Sequence, residues 1–264
     1  MPPYSDWMHL LALAALWGAV LSAAWIALDE LRRPQHMMIM NFVWPLTALY
    51  LGPFAVWWYY GSGSKMTHEH HQAMQAEMRR RGIDPKKMKE RRKQMPPVPE
   101  QAFVGATHCG SGCLLGDIVG EWLVFLLPLT FFAGEFGTRL FVTLLLAWVF
   151  GVVFQYFTIV PMRGLPVGKG IVEAMRADTL SILAFQAGMF GWMALNYYVF
   201  YPEPHLKPTQ AVFWFEMQLA MALGLLTSAP VNHWLLRKGW KEKMPQQSGE
   251  QGQRMMDEMP PRAA

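Results

Sequence analysis

The chain predicts an all-α fold, a polytopic membrane helix bundle of about six transmembrane helices with both termini in the cytoplasm. Three observations lead there. Of its 264 residues, 53% are hydrophobic and 16% charged, whereas about a quarter of the residues of an ordinary soluble domain are charged. The apolar residues fall in six blocks, 7–28, 38–60, 114–133, 140–160, 180–201 and 211–229, each near the roughly twenty residues that cross a bilayer. Lys and Arg are sorted between the loops. If the blocks alternate across the membrane, nineteen share the side of both termini and only Arg32, Arg33, Arg139 and Lys207 take the other. The positive-inside rule then puts the termini in the cytoplasm.

The blocks divide the chain into 1–60 with two spans, a polar loop over 61–101, a four-helix membrane domain over 102–244, and a Gln, Gly and Pro-rich tail over 245–264 expected to be disordered. No basic residue precedes the first block, and Asp6 stands at its edge. A cleavable signal peptide is therefore not expected.

The first span carries Trp7, Trp17 and Trp25, with His9 as its interfacial polar group. The turn to the second span holds His36, Met37, Met38 and Met40, soft donors of the type that suits cuprous copper, placed by this topology on the outer face, although methionine as an ordinary gap-filling hydrophobe is the preferred reading. Span two contains Pro45 and Pro53 and closes on Trp57-Trp58-Tyr59-Tyr60, an interfacial aromatic belt. Over 65–95 ten Lys or Arg stand against Glu69, Glu77, Asp84 and Glu90. Beside a membrane such a segment anchors to anionic lipid. His70, Met74 and Met78 at i, i+4 and i+8 fit a solvated amphipathic helix better than a metal-acquiring arm. The run is short and lacks interleaved aromatics, so no nucleic-acid partner is expected.

The chemistry collects in Thr107-His108-Cys109-Gly110-Ser111-Gly112-Cys113-Leu114-Leu115-Gly116-Asp117-Ile118-Val119-Gly120-Glu121, which holds both cysteines. On a helix Cys109, Cys113, Asp117 and Glu121 form one stripe at i, i+4 spacing. Gly112, Gly116 and Gly120 form a second, which lets a neighbouring helix approach closely, so the polar stripe is expected to face protein. Intramembrane carboxylates are costly and mark functional paths. Two cysteines four residues apart exclude a disulfide scaffold and leave two thiols for metal or redox chemistry.

The third span contains Pro128, an expected kink. In the turn 134–139, Glu135 and Arg139 are expected to pair with each other. The turn 161–170 has three glycines but lacks the Gly-x-x-x-x-Gly-Lys-Ser/Thr phosphate loop. Residues 171–177 are expected to lie along the surface. Span five then brings Asp178, Ser181 and Gln186 to the level of the cysteines, and span six carries Glu216 and Gln218 and returns His233 to that level.

Over 102–244 the chain resembles a bacterial membrane family known only as domain of unknown function 4396. The resemblance rests on Thr107-His108-Cys109-Gly110-Ser111-Gly112-Cys113 and on the closing Pro230-Val231-Asn232 with Trp234 and Gly239. It implies the membrane fold and the importance of the motif, and no activity.

The function expected is metal handling in the bacterial inner membrane, by transport or delivery. Copper(I) is favoured, and zinc is the alternative. Cys109 and Cys113 would supply thiolates and His108 or His233 an imidazole, with Asp117, Glu121 and Asp178 as polar steps through the bundle. The lipid bilayer, a metallochaperone and a second copy of the chain are the expected partners. Two other readings remain: a membrane thiol-redox protein using Cys109 and Cys113, and a non-catalytic assembly subunit. No catalytic constellation and no ATP-binding pattern is read, so transport would be passive or ion-coupled.

Overall fold

The computed structural model describes residues 4–94, 96–241 and 257, so the expectation of a disordered tail lies almost wholly outside the described residues. Among the described residues nine α-helices follow one another: α1 Asp6–Arg32, α2 Met40–Leu51, α3 Pro53–Gly61, α4 His68–Arg80, α5 Pro85–Gln94, α6 Pro99–Leu126, α7 Gly134–Arg163, α8 Val167–Leu195 and α9 Ala211–Lys238. Among the described residues the only β contact is an isolated antiparallel bridge between Gln35 and Thr67. The all-α expectation is met. Among the described residues four helices, α1, α6, α7 and α9, are long and apolar enough to cross a membrane. Helices α6 to α9 pack as an antiparallel ring in which α9 returns to α6, and α1 and α2 lie against α9. Trp7, Leu10, Trp17, Leu21, Trp25 and Leu28 stand exposed along α1, an apolar face suited to lipid.

The expected second span, 38–60, is not one continuous helix. Its helix breaks at Gly52, which has φ 56° and ψ −138°, next to Pro53, which has no N–H to continue a helical ladder. The chain then turns back on itself. The His36 N–H donates to the Met66 carbonyl and the His68 N–H to the Pro34 carbonyl, both at 2.9 Å. The His36 ring stacks on His71 at 3.8 Å between centroids. The two ends of the segment thus lie side by side, and its tip at Pro53 meets Gly18 near the middle of α1. Helices α2 and α3 are a hairpin that enters and returns. His36 therefore lies beside the start of the basic segment. A hairpin ending inside an apolar layer must satisfy its last carbonyls within the protein. The Gln218 amide of α9 does so, donating to the Leu49 carbonyl at 2.7 Å.

Three smaller expectations change as well. Helix α6 stops at Leu126, because the residue before a proline is disfavoured in the α region, so Pro128 ends the helix and does not kink it. Residues 171–177 belong to the continuous helix α8. Met40 is fully buried and Met38 is 72% exposed, so the methionines beside His36 do not converge. Met74 and Met78 pack with Ile83 and Met88 in a small core of their own, which makes them packing residues.

Helix α6 begins at Pro99, whose fixed φ suits the first helical position, and it stays helical through Gly110 and Gly112. Its glycine stripe lies on α7. A Cβ at Gly112 would sit 2.6 Å from the Gly151 Cα, one at Gly116 would strike the backbone of Ala147, and one at Gly120 would lie 2.8 Å from Thr143 Cγ2. Gly116→Ala should therefore force α6 and α7 apart and destabilise the detergent-solubilised protein by about 1–3 kcal/mol. Gly191→Ala, which has nothing within 4 Å, should be neutral or stabilise by about 0.5–1 kcal/mol. Thermal unfolding of the two variants beside the parent checks this.

Candidate functional site

The α6 stripe ends up inside the bundle: Cys109, Cys113 and Asp117 are completely buried and Glu121 is 1% exposed. At its upper end the stripe meets a polar cluster built from three helices and one residue beyond them. The Cys109 thiol donates to Asp178 Oδ1 at 3.0 Å and lies 2.8 Å from Ser181 Oγ, both on α8. Asn232 of α9 donates from Nδ2 to Ser181 Oγ at 2.6 Å and to the Ser228 carbonyl at 3.0 Å. Lys241 closes the cluster. Its Nζ donates to Asn232 Oδ1 at 2.7 Å, to Asp178 Oδ1 at 2.9 Å, and to the Gly105 carbonyl and Cys109 Sγ at 3.2 Å. Burial alone would favour the neutral amine, but Asp178 and Cys109 together, by charge and by hydrogen bonding, outweigh it and raise the Lys241 pKa above its ordinary value.

Local backbone geometry explains how a lysine past the last helix reaches this place. Gly239 takes the left-handed conformation with φ 70°. The Trp240 N–H donates to the Leu235 carbonyl at 3.0 Å and the Gly239 N–H to the Leu236 carbonyl at 3.2 Å, the paired bonds of a helix C-terminus that turns back. Trp240 then packs edge-on against Trp234 at 5.6 Å, and Lys241 enters the bundle.

Below Cys109 the polar groups continue along one interior line. The Gln186 amide of α8 is the polar neighbour of both Cys113 and Asp117, and neither Gln186 nor Asp117 has a well-aligned hydrogen bond of 3.5 Å or less among the described residues. One helical turn further, Glu121 Oε2 accepts from Arg139 Nε at 2.9 Å and Nη2 at 2.8 Å. The expected Glu135–Arg139 pairing is corrected, since Arg139 turns inward to Glu121 and Glu135 is exposed. Glu216 completes the line, accepting from Trp192 Nε1 at 3.0 Å and Tyr201 OH at 3.4 Å. Arg139 and Glu216 also line a cleft with Phe136, Trp192, Tyr197 and Phe213 at that end of the bundle. From Cys109 to Glu121 the line descends about 18 Å, at 1.5 Å per helical residue.

Of the residues singled out in the sequence, Asp178 stands beside Cys109, while His108 and His233 do not join the thiols. Adjacent residues on a helix point about 100° apart, so Asn232 enters the cluster and His233 stays half-buried outside it. His108 is fully buried with neither ring nitrogen bonded among the described residues. No three His, Cys, Asp or Glu side chains among the described residues are grouped to hold a metal ion. Lys241 and Asn232 were missed as site residues. The visible signal for Lys241 is the glycine just past the α9 pattern followed by Trp-Lys.

A family model for a domain of unknown function, DUF4396, matches residues 100–241, and the chain belongs to that family. The match runs from the first turn of α6 to Lys241, so it contains the whole α6–α9 bundle and its closing lysine and excludes the α2–α3 hairpin. No curated protein and no solved structure matches the chain.

The inward Glu121–Arg139 pair makes a direct test. Arg139→Ala should leave a buried carboxylate without its partner and cost about 3–5 kcal/mol. Glu135→Ala should stay within about 0.5 kcal/mol, as for ordinary surface changes. Unfolding curves of the two variants decide whether Arg139 serves the interior or the surface.

Proposed function

We propose that this DUF4396 protein moves or hands over a cation through the α6–α9 bundle in the bacterial inner membrane, with Cys109 and Cys113 taking a soft metal ion, copper(I) first and zinc second. One observation carries the reading: polar atoms without hydrogen-bond partners among the described residues recur along the interior line. They are Asp178 Oδ2, both oxygens of Asp117, both polar atoms of Gln186 and Glu121 Oε1. An unpaired polar group in a water-free interior costs on the order of 1–3 kcal/mol. Unpartnered buried groups occur elsewhere too, at Glu30, Gln35 and His108 among others; what supports a cation path is that these stand in one file with the two thiols and two acids of α6. The enclosure of the thiols weighs against the redox alternative, because a small ion reaches a fully buried sulfur more readily than a protein or thiol partner does. Asp117 and Glu121 act as successive carboxylate steps, and Arg139 holds Glu121 in place at the far end. A metallochaperone or a second copy of the chain fits as partner on the face of Lys241.

For the topology, the reading is five crossings, α1 and α6 to α9, with α2–α3 as a re-entrant hairpin. Chain order then puts 21 of the 23 Lys and Arg residues on the face of Arg32 and Arg33, against Arg139 and Lys207 on the other. That asymmetry supports a cytoplasmic C-terminus and an outward start of α1, in place of two cytoplasmic termini.

Three measurements test these statements. Purified full-length protein should take up Cu(I) from a colorimetric chelator, and Cys109→Ser with Cys113→Ser should abolish the uptake; parent protein that takes up no metal sinks the reading. Asp117→Asn should keep the binding and lose flux in vesicles, and intact flux would remove Asp117 from the path. For topology, Ser5→Cys should react with an impermeant maleimide in intact cells and Met38→Cys should not. Six crossings require the opposite pattern.

A further inference from the structure

We infer that Asp178, Asn232, the Gly105 carbonyl and Cys109 form a cation site whose resident occupant is the chain's own Lys241 ammonium, and that the Gly239–Lys241 segment is a latch displaced by a singly charged cargo. The inference rests on the cation-handling reading above and adds to it a gate and a charge for the cargo.

Four acceptors of different chemistry converge on one nitrogen. A carboxylate oxygen, an amide oxygen, a peptide oxygen and a sulfur stand 2.7 to 3.2 Å from Lys241 Nζ. They come from α6, α8 and α9, so the helices hold the shell whether or not the lysine is in it. An ammonium group has three hydrogens for these four acceptors. Beside the shell, Asp178 Oδ2 is buried and unpartnered, and Cys113 lies one turn further along α6.

The occupant differs from its shell in how it is attached. Lys241 stands outside every helix, two residues past Gly239. The segment is held from outside by Trp240, which is 42% exposed, packs on Trp234 at 5.6 Å and carries the Arg176 guanidinium over its ring at 5.1 Å. Withdrawing the segment therefore costs only the bonds from the Gly239, Trp240 and Lys241 N–H groups to the Leu235 and Leu236 carbonyls at the end of α9, and leaves the ladder within α9 intact.

Charge decides what replaces it. Removing the ammonium alone would leave the Asp178 carboxylate buried without a partner, which is strongly unfavourable. A monovalent cation replaces the ammonium one for one: as the Cys109 sulfur takes the ion its proton passes to Asp178 Oδ1 along their 3.0 Å hydrogen bond, so thiolate, neutral acid and cation carry the same net charge as thiol, carboxylate and ammonium. The sulfur in the shell selects a soft ion of that charge, copper(I) or silver(I), over a hard one. A divalent ion adds a charge that this shell does not compensate without further deprotonation.

The test uses the full-length protein in detergent with Ag(I) as the probe, Zn(II) as the divalent comparison, and an amine-reactive label on Lys241 read by peptide mass spectrometry. Saturating Ag(I) should raise Lys241 labelling several-fold, and Zn(II) should not. Lys241→Ala should bind Ag(I) at least about tenfold more tightly, since apparent affinity is lowered by the fraction of molecules whose site is closed. Binding by Lys241→Ala but not by the parent also supports the latch. If Lys241→Ala does not fold, labelling of the parent alone decides. Ag(I) bound to the parent with unchanged labelling overturns the latch and leaves the cation reading standing. Equal displacement by Zn(II) overturns the charge argument. If neither protein binds Ag(I), the cation reading falls and the latch with it.

Discussion

Backbone contact between α6 and α7 determines the disposition of everything else in the bundle. Gly112, Gly116 and Gly120 meet Gly151, Ala147 and Thr143 with no room for a side chain between them. In an apolar solvent there is little water-driven force between helices, so this close van der Waals approach and interhelical hydrogen bonds must bring them together. It also sets the rotation of α6. With the glycines turned to α7, the residues one position later, Cys113, Asp117 and Glu121, turn toward the interior shared with α8 and α9.

The second constraint is that a polar group inside such a bundle must be answered by another part of the chain. It accounts for features with no evident relation to each other in sequence. Gln218 reaches from α9 to the end of α2, and Ser111 Oγ reaches from α6 to the Val43 carbonyl at 3.2 Å. Glu121 draws Arg139 inward, and Asp178 draws in a lysine from beyond the last helix. Some buried polar atoms stay unanswered among the described residues, at Glu30, Gln35 and His108 as well as in the interior line, and the functional reading rests on those of Asp117 and Gln186 that stand in file with the thiols.

The helices were legible because their signals are local. Long apolar runs, the proline at the start of α6, the Leu-Leu-Pro stop after it and Gly239 past α9 each act within a few residues. The i, i+4 stripes were legible for the same reason, since one helix period relates Cys109 to Glu121. The hairpin was not. Residues 38–60 have the length and composition of a crossing, and only the pairing of 34–36 with 66–68 shows that the segment returns. His233 was chosen over Asn232 for its chemistry, and the rotation of α9 chose the asparagine. Lys241 was counted as one more basic residue near the membrane, because nothing local distinguishes a lysine that faces lipid headgroups from one folded back against an aspartate.

By itself the sequence determined an all-α membrane protein, the helix carrying the Cys-Asp-Glu stripe and the glycine stripe beside it, because composition and helical periodicity are properties of neighbouring residues. Only the tertiary structure decided that 38–60 turns back, that Arg139 belongs to Glu121, and that the Cys109 site is closed by Asp178, Asn232 and Lys241. Those outcomes depend on which distant groups satisfy one another when they are buried together.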